Sequence, residues 1–353
     1  MARWHDSHLR HYLCVAAALP AVLNAGTIMA FECGQAKSPA EKAICSDPAA
    51  KASDEAMGGA FTDLKSLLDP DQAKALLVNQ RDWLAQRNEY CTTGSDAPAC
   101  IKEMNDARVL LLGGKPKSDP GSSVRLIPFF VDTPGTKTAP EIHVIMYKHH
   151  GDSGPLAKTL DAAIGTILDS AKKKENFLAD KEVTFERKAK VFYASDRLIS
   201  IEIDGFDYVQ GGAHGAVTTQ MLNIDPQSGR ELKITDLLDG AGRTKVINLC
   251  IDQLLREKTD RFAQAAKETA ESEHVQADPV EPLSADDVKT IRKYAKPVIE
   301  TLSSWRFDAE GAAILFDQDE IGAHAEGAFE CNFPYAQLRT LAKASFPLPP
   351  HRS

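Results

Sequence analysis

Two short segments concentrate the residue types that do chemistry or recognition. Gly211-Gly212-Ala213-His214-Gly215 sets a histidine among three glycines, and Gly322-Ala323-His324-Ala325-Glu326-Gly327 sets a histidine and a carboxylate between two more. Glycine permits positive φ and close backbone approach, so each segment reads as a tight loop that presents a ring and bare backbone to a partner. The competing reading is a bulge that bends a strand. If both loops lie at one sheet end, His214 and His324 form a single site. The binding residues assigned on this ground are Gly211, Gly212, His214, Gly215, His324 and Glu326. With Asp317, Asp319 or Glu326 nearby, the two rings would resemble metal ligands, and paired carboxylates could act as acid and base at a sugar bond. Neither pattern has a defined spacing, so no metal, cofactor or catalytic residue is assigned. Serine and cysteine nucleophiles lack a supporting elbow or a free thiol.

The cysteines set the compartment. Met1–Tyr12 carries Arg3 and Arg10, and residues 13–30 form an almost uncharged run broken by Pro20, Asn24 and Gly26. It ends in small residues, as a cleaved secretory signal does. Cleavage is placed after Ala30, with Ala25 as second choice. A membrane anchor would want an unbroken apolar span, and lipidation at Cys14 would want a small residue in place of Leu13. Removing residues 1–30 leaves Cys33, Cys45, Cys91, Cys100, Cys250 and Cys331. An even number in an exported chain reads as disulfides, although sequence alone does not fix their pairing. The gaps favour Cys33–Cys45, Cys91–Cys100 and Cys250–Cys331. Zinc would want a close Cys-x-x-Cys spacing, which is absent. The expected location is periplasmic or secreted.

These residues must be positioned by two unlike parts. Residues 31–112 read as helix, with starts at Ser38-Pro39, Asp47-Pro48 and Asp69-Pro70 and a last helix from Cys100 to Leu112. Trp83 reads as core, and Arg81 and Arg87 as ion-pair partners of Asp82, Glu89 or Asp106. Residues 113–123 are a Gly/Pro/Ser linker. Beyond it, strands are expected at 124–131, 141–147, 183–193, 198–208, 216–224 and 231–234, with Ala312–Phe316 and Phe329–Phe333 closing the sheet. Helical spacing marks 156–168, roughly 243–271 and 285–303. Strands and helices come in blocks rather than in strict alternation, which argues for α+β. The expectation is a small disulfide-stapled all-α N-terminal domain (31–112) and a larger α+β domain (124–347), its antiparallel or mixed sheet packed by helices.

Charge narrows the partners. The formal net charge is −9, and residues 231–330 hold 21 acidic against 12 basic side chains. Nucleic acid is excluded, because phosphate neutralisation needs Lys and Arg. A basic protein is a plausible partner, since opposite charge raises association rates, while the charge by itself is explained as well by keeping the protein in solution.

Residues 31–48 (FECGQAKSPAEKAICSDP), 80–91 (QRDWLAQRNEYC) and 100–112 (CIKEMNDARVLLL) resemble the LprI-like lysozyme-inhibitor domain. Residues 206–238 and 314–338, including FDYVQGGAHG and FDQDEIGAHAEGAFECNF, resemble the C-terminal domain of RsiV-like anti-sigma factors that sense lysozyme, a module also appended to PdaC-like peptidoglycan deacetylases. That resemblance spans about 124–345. The chain departs from it at His324, where an aromatic is common, and in a long acidic helical insertion near 257–283. No deacetylase domain and no internal membrane span accompany it. The two resemblances imply a non-enzymatic cell-envelope protein that binds, and inhibits or senses, lysozyme-type muramidases. Binding to peptidoglycan or another envelope component without a lysozyme partner is the alternative, and an envelope-sugar hydrolase stands third.

Overall fold

A capping side chain followed by proline opens each of the first four helices. In the computed structural model, which describes residues 33–94, 96–118, 121–136, 139–151, 153–174, 182–274 and 283–350, Ser38 and Glu41 form a reciprocal capping box at α1 (Pro39–Ser46). Asp47, Asp69 and Asp96 cap α2 (Pro48–Lys65), α3 (Pro70–Thr92) and α4 (Ala97–Gly113). The last of these starts three residues before the expected Cys100, because the Asp96 carboxylate accepts the Ala99 N–H. The proposed signal segment lies outside the described residues.

Cys33–Cys45 and Cys91–Cys100 pair as expected. Between them the helical unit has a polar core. Arg87 is buried and donates to Asp54 at 2.8 Å and Asn105 at 2.7 Å. Arg108 donates to Gln80 and Asn79. Trp83 is half-buried with both guanidinium groups over its ring, at 5.4 and 5.2 Å. The arginine partners differ from the expectation: Arg87 takes Asp54 from α2, while Asp106 pairs with Lys102 on its own helix. Spacing along one helix finds neighbours on that helix and misses the carboxylate that packing lays across it.

The next elements are β1 (Leu126–Thr133), β2 (Glu141–His149), α5 (Pro155–Lys174), β3 (Val183–Ala194), β4 (Ile199–Val209), β5 (Ala216–Asp225) and β6 (Arg230–Glu231). The six strands make one sheet in sequence order. β2 and β3 are parallel across α5 and the other pairs are antiparallel, so the sheet is mixed. One face is apolar: Val144, Phe185, Ile199, Ile201, Ile203 and Leu222 pack under Leu156, Leu160 and Ile164 of α5.

The other face is covered at its two sides by different units. At β1 and β2, Phe130 and Ile145 bury against Phe61, Leu64, Leu76 and Leu112 of the helical unit. There the Gln72 amide takes both the N–H and the C=O of Phe130. At β4 and β5 lies a second layer, built from α6 (Ile234–Leu237), α7 (Gly240–Glu273), α8 (Ala285–Ile299), β7 (Trp305–Phe307), β8 (Gly311–Phe316), β9 (Phe329–Pro334) and α9 (Tyr335–Leu338).

Two expectations are corrected here. β8 and β9 do not close the large sheet; with β7 they form a separate three-stranded antiparallel sheet. Side chains make the join instead of a ladder: Ser200 accepts the Phe307 N–H, and Asn223 donates to the Leu302 and Trp305 carbonyls. The full burial of Trp305 and Phe307 drives this face-to-face seating. Likewise only Glu231 of the expected 231–234 strand pairs, together with Arg230 before it. Ile234–Leu237 turns helical, as the Asp236 carboxylate accepts the Lys233 N–H and binds Arg230. Cys250 on α7 is bonded to Cys331 on β9, as expected.

Candidate functional site

The β4–β5 connection carries the first histidine loop. Gly211 has φ +83°, a conformation that L side chains rarely adopt. The Gly212 N–H closes the turn onto the Val209 carbonyl. A Cβ on Gly215 would lie 2.1 Å from the Phe206 ring. The missing side chain is therefore what lets that ring lie against the loop.

The β8–β9 connection carries the second. Asp319 holds positive φ, and its carboxylate meets Nδ1 of His324 at 3.0 Å. Glu326 organises the loop from within: it accepts the Ala323 N–H at 2.7 Å and pairs with Lys258 at 2.6 Å. Arg261 donates to the Glu326 and Ala328 carbonyls. Gly322 leaves the space that this carboxylate fills, since a Cβ there would meet it at 2.7 Å. Burial alone would raise the Glu326 carboxyl, but the Lys258 hydrogen bond and the Ala323 N–H hold it below the usual range. Glu326 thus stays ionised and occupied, which suits a loop clamp and not a proton donor.

The two loops meet. The Thr219 N–H donates to both oxygens of Asp317, at 2.9 and 3.2 Å. The rings of His214 and His324 stack with centroids 4.5 Å apart. Both side chains are exposed. The structure therefore brings together five of the six assigned residues at one surface, with Glu326 beneath them. Among the described residues, no group of three or more His, Cys, Asp and Glu could hold a metal ion.

Sequence reasoning missed a row of carboxylates under this surface. Asp204 on β4 lies near Asp317 beyond β8, with Glu202 beside it on the strand and Glu320 close to Asp317. Arg306 stands 3.7 Å from Glu202 but 3.4 Å from Glu330, so it is shared. Burial, and then the Asp204 charge, push the Glu202 carboxyl up to about 7 against the pull of Arg306 and Lys190. Burial likewise raises Asp204, Asp317 and Glu320. The period-2 alternation of Glu202, Asp204, Phe206 and Tyr208 is the signal that could have found them.

A pH dependence follows. An unfolded glutamate titrates near about 4.3, so between there and about 7 the native Glu202 binds more protons than the unfolded chain. Stability from this group is present in acid and is lost as pH rises through about 7. Thermal melts are expected to show a higher midpoint at about pH 5 than at about pH 8. Glu202→Gln should flatten that slope, and an unchanged slope would show that Glu202 does not carry it.

The disulfide-stapled helices and the two-sheet layer define a protein of the α+β class in two unlike parts. Residues 33–112 match the family model of lysozyme inhibitor LprI, and residues 252–336 match that of DUF3298, a protein family of unknown function. The two matches follow one another along the chain, and each covers only part of it. The second match holds the His324 loop; the 211–215 loop lies before it. A DUF3298 family member from Bacteroides fragilis has a similar crystal structure, 14% identical with a TM-score of 0.42 over 64% of this chain and 95% of that one. Another, from Pseudomonas aeruginosa PAO1, is 16% identical with a TM-score of 0.41 over 65% and 99%. No curated protein matches the chain. Among the described residues, no helix is long and apolar enough to cross a membrane.

Proposed function

We propose an exported, periplasmic or secreted cell-envelope protein that binds lysozyme-type muramidases and restrains them by occluding their cleft. The reading takes residues 1–30 as a signal peptide, 31–112 as the inhibitor-like helical domain, 113–123 as a linker and 124–347 as the sheet domain. The observation that supports it most is the junction of two small-residue loops into one exposed His214–His324 pair, on a chain that matches a lysozyme-inhibitor model. Such a knob, held from below by Glu326, Lys258 and Arg261, is rigid enough to enter a cleft without a large ordering cost. The acidic balance would steer a basic lysozyme toward it.

The oxidised protein is expected to slow lysis of cell-wall substrate at a near-stoichiometric ratio. His214→Ala with His324→Ala should weaken binding by at least about tenfold, as truncating a central contact pair does. No inhibition and no binding to several lysozyme classes at micromolar concentrations would remove the reading. An envelope binder without a lysozyme partner would instead be retained on purified sacculi despite competing lysozyme. An envelope-sugar hydrolase has the least support, because Glu326 is tied to Lys258.

A further inference from the structure

Between its two covers, the second face of the six-stranded sheet stays open. Strand register places one row of side chains across that strip: Asp132 on β1, His143 on β2, Glu186 on β3, Phe206 on β4 and Val217 on β5. The neighbouring row adds Glu141, Thr184 and Tyr208. The polar end is cross-linked and wet. His143 faces Asp132 and Glu141, each at 3.1 Å, with its own side chain 37% exposed. Glu186 pairs with Lys188. The other end is apolar and exposed. Phe206 and Val217 are 37% and 48% exposed, and the rings of Phe206 and Tyr208 lie within 7° of parallel, 6.4 Å apart. Exposed large apolar side chains grouped on a rigid sheet mark binding surfaces.

We propose that this open row is a binding shelf for an extended β-1,4-linked N-acetylhexosamine glycan laid across the strands. Three features select that ligand. Parallel aromatic rings accept the C–H face of a pyranose, and the carboxylates, His143 and Thr184 offer partners for its hydroxyl groups. Neighbouring strands lie about 4.8 Å apart, close to the advance of one sugar in an extended β-1,4 chain, so each strand sets one recognition group beneath successive sugars. Carboxylates outnumber cations along the row, which disfavours polyanionic polymers. The apolar surface is only two rings and a valine, too little for the anchored core of a protein interface. Val217, across from Phe206, offers the apolar spot that an acetamido methyl takes. The shelf lies beside the histidine pair and does not depend on the lysozyme reading.

The test is calorimetric titration of the oxidised protein, without lysozyme, using N-acetylglucosamine hexamer, purified cell-wall glycan strands and glucose hexamer (cellohexaose). The N-acetylglucosamine hexamer is expected to bind, the glycan strands to bind more weakly because a lactyl carboxylate sits on alternate sugars, and cellohexaose to bind at least about tenfold more weakly than the first. Phe206→Ala and Tyr208→Ala should each weaken the N-acetylglucosamine hexamer by at least about tenfold. Gly215→Ala, whose methyl displaces the Phe206 ring without removing any shelf side chain, should weaken it too. Absence of binding at millimolar ligand overturns the shelf, as does binding that folded ring variants leave unchanged. Equal affinity for cellohexaose overturns the acetamido assignment. Lysozyme binding without glycan binding removes the shelf alone, and glycan binding without lysozyme binding removes the lysozyme reading alone.

Discussion

Replacing Cys250 and Cys331 together with alanine is expected to lower unfolding free energy by about 4–5 kcal/mol, the largest loss from any one cross-link in the chain. The pair closes a loop with a sequence separation of 81, against 12 and 9 for the other two bridges. Closure entropy grows with the logarithm of loop length, so the long bridge restrains the unfolded chain most. Both half-cystines are fully buried between α7 and β9, so the substitution also leaves a small unfilled space in the core. Urea denaturation of the three double-alanine variants should rank this bridge first and Cys91–Cys100 last. The m-value should rise in each case, because an uncrosslinked chain exposes more surface on unfolding. If the short bridge cost more, native packing rather than chain entropy would be setting the order.

Arg87→Ala carries the second large expectation, a loss of about 3–5 kcal/mol. The guanidinium is buried and satisfies Asp54, Asn105 and Asn88 at once. Its removal strands the Asn105 amide oxygen in the core and leaves Asp54 without its counter-charge. It also takes away one of the two cations over Trp83, worth about 0.5–2 kcal/mol. Asp54→Ala should be damaging for the mirror reason, since it leaves a buried cation short of its anion. Arg87→Met combined with Asp54→Leu should recover much of the loss, because burying neither charge is cheaper than burying one. Chemical denaturation of Arg87→Met, Asp54→Leu and their double closes the cycle, and simple additivity would show that the pair does not interact.

Local chemistry was the legible part of this chain. Ser38, Asp47 and Asp69 each announce a helix start, because a cap and a following proline act within one turn. The cysteine gaps led to the pairings found, since residues close in sequence meet cheaply and the two distant cysteines were left for each other. The facing of His214 and His324 was posed by two similar loops, but only the joining of β5 to the β8–β9 connection through Thr219 and Asp317 decides it. What stayed hidden was non-local. Nothing near Trp305 tells that its strand will seat on Ser200 and Asn223 rather than extend the large sheet, because the deciding hydrogen bonds come from side chains a hundred positions away. The Phe206–Tyr208 pair was hidden for a related reason: alternation marks two faces of a strand, yet which face stays wet depends on what else arrives to cover it.

The Gln72 contact has a consequence beyond the stability of one helix. β1 is an outer strand, and the outward N–H and C=O of Phe130 are the groups through which a stray chain could add itself to the sheet. A single amide side chain occupies both, imitating one residue of a seventh strand that is never built. The N-terminal helices thereby act as a guard against misassembly. Stripped of them by proteolysis or truncation, the sheet would offer an adhesive margin, and its first failure would be oligomers joined at β1 rather than unfolding.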